Sequence, residues 1–237
     1  MNNESDEAAS PKFEIITVKG RGSSSRGHTG SGIATYLIDE KGRTERFSGQ
    51  YVSGIRQGAG EYRFADGSQF KGKYENNKKH GLGEALYKNG RDTGEGEAGT
   101  SGDARYIGHF VGGQRQPYGT LIYSNGDVYE GEWFAGQKHG EGSYRFCSDG
   151  SILSGSWEAG WLKKGRWILP TGAVYIGEFV LNKPNGRGAW LIPSGNQTKK
   201  TSDQTGNEEG SADEEGIAKY EIAKIDVQYI CTVTTRE

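Results

Sequence analysis

The sequence predicts an all-β fold, an elongated single-layer antiparallel sheet of stacked β-hairpins, and three observations carry that prediction. Glycine supplies 40 of 237 residues, roughly 17 per cent against a usual share of about 7 per cent. A strand-like motif recurs along the chain, mostly at intervals of 22 to 24 residues. Leu, Ile, Val and Phe together give only 40 residues, whereas 13 Tyr and 5 Trp supply apolar surface in flat rings. With five prolines and glycines at spacings of two, nine and eleven, a collagen helix is excluded. A net charge of −2 and this aromatic content separate the chain from disordered sequences of similar aliphatic content.

In chain order, residues 1–27 form an N-terminal tail in which PKFEIITVKG, with Phe13, Ile15 and Ile16, reads as one lone strand. Such a strand needs a partner: the C-terminal strand, an open end of the repeat sheet, or another protein by strand addition. Residues 28–197 form the sheet itself. Gly30, Gly32, Tyr36 and Gly42 look like the second half of a partial copy. Six copies follow, opening on Phe47-Gly49-Tyr51, Phe70-Gly72-Tyr74, Tyr106-Gly108-Phe110, Tyr129-Gly131-Trp133, Leu153-Gly155-Trp157 and Tyr175-Gly177-Phe179. A second glycine pair follows in four of them, at Gly58/Gly60, Gly81/Gly83, Gly140/Gly142 and Gly186/Gly188.

One copy reads as one hairpin. Tyr129, Gly131 and Trp133 are two apart and share a strand face, as do Gly140, Gly142, Tyr144 and Phe146 on the next strand. Glu130, Glu132, Glu141, Ser143 and Arg145 take the opposite face, and AGQK between the strands is turn-rich. Glycine weakens a strand, but here it leaves room for an aromatic ring from the neighbouring strand to lie over the backbone. The repeat core is therefore Tyr51, Gly72, Tyr74, Tyr106, Phe110, Tyr129, Gly131, Trp133, Tyr144, Trp157, Tyr175 and Phe179. Six two-stranded copies at ~4.8 Å per strand give a sheet on the order of 55 to 60 Å long.

Two copies depart from the pattern, and both departures bear on turn geometry: Pro117 replaces the first glycine of the third copy's pair, and the fifth copy keeps only Gly165. Residues 91–105 read as a flexible loop at a repeat boundary. Residues 198–216 are polar and acidic and read as a disordered linker. In residues 217–237, Ile225, Val227, Tyr229, Cys231 and Val233 alternate with mostly polar residues and read as a second lone strand.

The fourth copy, YEGEWFAGQKHGEGSYRFCSDG, resembles the MORN repeat, whose form is close to YEGEWxxGxxHGxGxxxxxDG. That resemblance covers residues 47–197 and implies a sheet used as a scaffold or binding surface. ARYIGHF from Ala104, GDVYEGEWFAGQKHGEGSYRF from Gly126 and FVLNKPNGRGAW from Phe179 are similar to segments of the MORN-repeat subunits of ciliary radial spoke heads. This second likeness implies a non-enzymatic component of a motile cilium or flagellum, in the cytoplasm and axoneme, with other radial spoke head or axonemal scaffold proteins as partners. A scaffold at a membrane, binding acidic phospholipids, is the alternative that other MORN proteins suggest.

Other chemistry finds little footing. No stretch reaches the ~18 apolar residues of a membrane helix, and MNNESDEAAS lacks the apolar centre of a signal peptide. Near-neutral charge argues against nucleic acid. Two cysteines, Cys147 and Cys231, have no metal-ligand spacing and read as reduced thiols. GSSSRGHT, residues 22–29, has phosphate-loop spacing but His28 where the lysine belongs, and Gly94, Gly96 and Gly99 form a GxGxxG without a strand and helix around it. His28, His80, His109 and His139 share no metal-ligand spacing and read as turn residues, and no catalytic set, metal or cofactor is expected. Lys71, Lys73, Lys78, Lys79 and Lys88 make the second repeat basic, but Glu75 and Glu84 interleave, which suits a solvated face.

One feature points to a partner. The face opposite the rings is Ser, Glu, Lys and Arg in repeats one, two and four, but gains Ile107, Ile122, Ile168, Ile176 and Leu191 in the others. Trp161 stands in a turn position held by Ile55, Asn77, Gln114, Gln137 and Lys183 elsewhere. The candidate interface is thus Ile122, Trp161, Ile168, Ile176 and Leu191, with docking at the C-terminal half and self-association as a further option.

Overall fold

The computed structural model describes residues 13–90, 102–193 and the strand 220–227. These form sixteen strands: β1 Phe13–Thr17, β2 Gly20–Gly22, β3 Gly30–Leu37, β4 Thr44–Val52, β5 Ile55–Arg63, β6 Gln69–Glu75, β7 Lys78–Tyr87, β8 Ala104–Val111, β9 Gln114–Ile122, β10 Val128–Phe134, β11 Gln137–Arg145, β12 Ile152–Glu158, β13 Trp161–Ile168, β14 Val174–Val180, β15 Lys183–Pro193 and β16 Tyr220–Val227. All sixteen lie in one antiparallel sheet, each bonded to its chain neighbour except at the N-terminal end, where the order is β3-β1-β2. At ~4.8 Å per strand the sheet runs on the order of 72 Å. The excess over six hairpins comes from β1 to β3 and from β16. The tail thus holds two strands, not one, and β1 finds its partner at the open end of the repeat sheet, pairing Ile15 with Ala34. Ala104 and Arg105 belong to β8 rather than to a loop. The expected linker 198–216 lies outside the described residues, as do Tyr229, Cys231 and Val233.

The register explains the glycine excess. One glycine per strand forms an unbroken row from β3 to β15, through Gly32, Gly49, Gly60, Gly72, Gly83 and Gly108 to Gly119, Gly131, Gly142, Gly155, Gly165, Gly177 and Gly188. The second glycine of each sequence pair is the one in the row. Pro117 and the shortened fifth copy therefore leave it intact. The first glycine of the pair sits where the ladder is interrupted and takes positive φ, as at Gly58 (92°) and Gly140 (59°).

The space at the row is tighter than the sequence suggests. A Cβ on Gly131 would lie 2.5 Å from Cα of Gly142 and 2.7 Å from the carbonyl oxygen of Glu141, so here strand backbones meet each other. A Cβ on Gly142 would instead enter the ring of Tyr129, 2.7 Å from Cζ. The covering ring comes from the neighbouring strand for Gly142 only. For Gly131 it comes from two residues earlier on the same strand, a correction to the expected arrangement. Two-residue turns close the six hairpins, with both central residues at positive φ, as in Asn76 (49°) and Asn77 (66°) or Leu181 (50°) and Asn182 (61°). That pattern defines the type I′ turns that suit strand twist.

Candidate docking faces

The rings form one buried stripe. Phe47, Phe70, Tyr106, Tyr129 and Tyr175 have no exposed surface, and Trp133 and Trp157 have almost none. Each opening ring meets the closing ring of its own repeat and of the next edge to face: Tyr129 lies 5.2 Å from both Trp133 and Trp157, at 89° and 77°. This is the geometry aromatic quadrupoles favour. Tyr51, Tyr74, Phe110 and Phe179 extend the pattern, while Tyr144 is half-buried and its hydroxyl donates to Asp127 at 2.7 Å. Indole N–H groups of Trp133 and Trp157 donate to the carbonyls of Gly119 and Gly142, both at 3.0 Å. Burial pushes the hydroxyls of Tyr51, Tyr62, Tyr74 and Tyr106 well above the usual tyrosine range.

A column of cations lies over this stripe, and sequence reading missed it. Opposite the closing ring of each of the first four repeats stands Arg56, Lys79, Arg115 or Lys138. The Arg56 guanidinium lies 5.3 to 5.5 Å from Phe47, Tyr62 and Tyr74, and that of Arg115 lies 4.2 Å from Trp133. Lys138 is 2 % exposed and lies 4.9 to 5.7 Å from Tyr123, Tyr129, Tyr144 and Trp157. The signal available was a basic residue two before the first glycine of the pair, or before Pro117 in its place. Lys79 belongs to this column, over Phe64, Phe70 and Phe110, and not to a solvated face. The lysines of repeat two are thereby divided: Lys71 and Lys73 alternate with ring-face residues and point the other way, Lys78 is exposed at the hairpin tip, and Lys88 pairs with Asp103.

On the opposite face the register builds a second stripe. Ile152 pairs with Ile168, Ile168 with Val174, and Val174 with Leu191, so four aliphatic side chains stand in one row across β12 to β15. All four are half-buried. Ile122 and Val128 lie in the same row, beyond Arg145. In the first half of the sheet that row reads Arg46, Arg63, Gln69, Leu86 and Arg105. Thus Ile168 and Leu191 of the expected interface come together while Ile122 is set apart by Arg145, and Ile152 and Val174 were missed because alone each looks like any strand residue. Ile176 sits in the next row, opposite Ala189, and is 42 % exposed. Trp161 does not join them. It opens β13, paired with Glu158, seven residues or about 23 Å from Ile168. Its counterpart in the second repeat is Lys78, not Asn77. The N-terminal end adds an apolar patch of its own, where Ile16, Val18 and Ile33 line a shallow groove of about 430 Å³.

The remaining motifs are structural. The His28 N–H bonds the Ser25 carbonyl at 2.9 Å and the Gly54 N–H bonds the His28 carbonyl at 2.8 Å, so GSSSRGHT caps the first hairpin, with the His28 ring against Tyr51. His80 pairs with Glu75 at 3.2 Å, and His139 packs on Phe134. Cys147 is exposed in the loop after β11. No group of three metal-ligating side chains occurs among the described residues, and none of their helices is long and apolar enough to cross a membrane. Gly94, Gly96 and Gly99 lie outside the described residues.

Comparison with known proteins agrees with this geometry. A family model described as the MORN repeat matches residues 47–69, 70–90, 106–128, 129–151 and 175–197, passing over the copy that opens on Leu153. Alsin from Mus musculus and alsin from Homo sapiens are each 23 % identical over 156 residues, 66 % of this chain and 8 % of theirs. The chain therefore spans less than a tenth of the length of these curated relatives. With five matched repeats standing in register within one sheet, the chain belongs to the MORN-repeat family.

Proposed function

We infer that this chain is a non-enzymatic scaffold whose second face docks other proteins, and that it serves in the radial spoke head of a motile cilium or flagellum. The carrying observation is the row Ile152, Ile168, Val174 and Leu191, an aliphatic stripe on a sheet whose own core lies wholly on the other face. A sheet apolar on both faces needs cover on both. The ciliary assignment rests on the three segments similar to spoke-head MORN subunits. Its partners are then other spoke-head or axonemal scaffold proteins, and its place is the cytoplasm and the axoneme. The lipid-scaffold reading loses its patch, because the lysines of repeat two are spread over two faces and a hairpin tip.

Tagging the chain at its own locus tests the assignment. Signal along the axoneme that survives detergent extraction is expected, and a plasma-membrane or freely soluble signal contradicts it.

A further inference from the structure

Every strand from β12 to β15 is paired on both sides, β15 with β16 on its outer side. The backbone under the row Ile152, Ile168, Val174 and Leu191 is therefore spent on the ladder, and whatever covers the row must satisfy its own backbone. A lone extended segment fails that condition on the face of a sheet, whereas an α-helix meets it. The direction of the row selects the same element. Two residues along the strands from the row stand Ser154, Arg166, Ile176 and Ala189, so a helix laid along a strand finds little apolar surface. Across the strands the four aliphatic side chains follow at ~4.8 Å, over about 14 Å in all. A helix repeats one face every three to four residues, roughly 4.5 to 6 Å. Laid across the strands, about ten residues of it set an apolar side chain against each member of the row. Ser143, Ser154 and Ala189, small and half-buried, leave a trough beside the row for its flank.

Two arginines set the charge of the site. Arg145 pairs with Ile152 and continues the row by one strand, while Arg166 stands between Ser154 and Ile176, two residues from Ile168. Both are exposed, and neither makes a hydrogen bond or an ion pair among the described residues. Elsewhere on this face basic groups are matched: Lys164 stands directly opposite Glu178, and Arg63 and Arg105 are held by Glu61 and Glu84. An aliphatic row bordered by unmatched guanidinium groups is complementary to an apolar stripe bordered by carboxylates.

We propose that the row is covered by an amphipathic α-helix of a partner protein, laid across β12 to β15, whose apolar stripe is flanked by Asp or Glu. The stripe packs on Ile152, Ile168, Val174 and Leu191, and the carboxylates pair with Arg145 beyond Ile152 and with Arg166 beside Ile168. The proposal rests on the reading that this face docks a protein, and it names the element and the charge of what docks.

Isoleucine methyl resonances of the full labelled chain provide the test, with Ile152 and Ile168 assigned by their loss in Ile152→Val and Ile168→Val. The probes are synthetic peptides about five helical turns long. One carries Leu at helical spacing flanked by Glu, the second has Lys for each Glu, and the third alternates the same Leu and Glu residues at strand spacing. The helical Glu peptide is expected to shift both methyls and to leave that of the buried Ile15 in place. The Lys peptide should bind about tenfold more weakly, the size of two exposed charge pairs lost. Arg145→Glu together with Arg166→Glu should invert that order, which a loss of folding cannot do. Methyls unmoved by the helical Glu peptide, equal binding of the Lys peptide, or tighter binding of the alternating peptide overturns the proposal. Shifts of both methyls on concentrating the chain alone also overturn it, because they assign the row to a second copy. A chain retained in the axoneme whose Ile152 and Ile168 ignore the Glu peptide keeps the docking reading and loses the helix, so the two fall separately.

Discussion

The glycine row makes a prediction that separates its two members. Gly131→Ala places a methyl 2.5 Å from Cα of Gly142, and Gly142→Ala places one inside the Tyr129 ring. Overpacking of this kind costs about 1 to 3 kcal/mol, or on the order of 2 to 4 °C of melting temperature per kcal/mol in a chain of this size. The obstacles differ, so their remedies differ. The three atoms nearest the Gly142 methyl all belong to Tyr129, whereas the Gly131 methyl meets two backbone atoms of β11 as well as the Tyr129 hydroxyl, the last at 2.7 Å. In a Tyr129→Leu background, Gly142→Ala should therefore lose most of its cost, while Gly131→Ala keeps the larger, backbone part of its own. The double-mutant cycle should give a coupling of at least ~1 kcal/mol for Gly142 with Tyr129 and a clearly smaller one for Gly131, whose clash with the Gly142 backbone remains. Gly22→Ala, whose methyl would meet nothing closer than 3.7 Å, is the control and should be close to neutral. Urea unfolding followed by tryptophan fluorescence measures all of these. Equal rescue at both glycines, or at neither, would show that ring and backbone have been assigned to the wrong positions.

Three further outcomes follow from the same faces. Lys138→Met should destabilise by about 1 to 2 kcal/mol through loss of a desolvated cation over four rings, and Lys79→Met, at a half-buried site, by less; the reverse order in urea unfolding contradicts the column. The tyrosine hydroxyls held above their usual range stay neutral in the fold while the unfolded chain ionises near pH 10. Stability is thus fully present below pH 10 and should fall above it by about 1.4 kcal/mol per pH unit for each such tyrosine, and a flat profile to pH 11 in equilibrium unfolding counts against their burial. Small-angle scattering should give a radius of gyration well above the about 18 Å of a compact chain of this length, and a value near 18 Å is incompatible with an open sixteen-stranded sheet.

Much of this fold could be read in the sequence because its signal is periodic. The aromatic-x-Gly-x-aromatic motif placed both strands of each hairpin and the ring face, since side chains two apart share a face. What could not be read depends on register. The row Ile152, Ile168, Val174 and Leu191 exists only because each strand pairs with the next at one offset, and no spacing along the chain reports that offset. Trp161 stands out in the sequence as an aromatic in a turn position, yet seven residues of extended chain separate it from Ile168. The cation column was written in the sequence at Arg56, Lys79, Arg115 and Lys138, but charge reads as solvent-facing until the rings beneath it are seen. The glycine row was half legible: the need for space was evident, whereas its occupant, backbone at Gly131 and ring at Gly142, was not.

The central claim is that the ring face holds the sheet while the opposite face docks it. It is tested most directly by detergent extraction of cilia bearing a tagged Ile152→Ser, Ile168→Ser, Val174→Ser and Leu191→Ser chain, beside a control with Arg46, Arg63 and Arg105 of the same row changed to Glu. Buried interface anchors are each worth about 2 kcal/mol or more when truncated. The serine variant should leave the axoneme with the soluble fraction while its purified form keeps the folded tryptophan fluorescence, and the charge-reversed control should stay. Retention of the serine variant together with release of the control would place docking in the first half of the sheet and contradict the account.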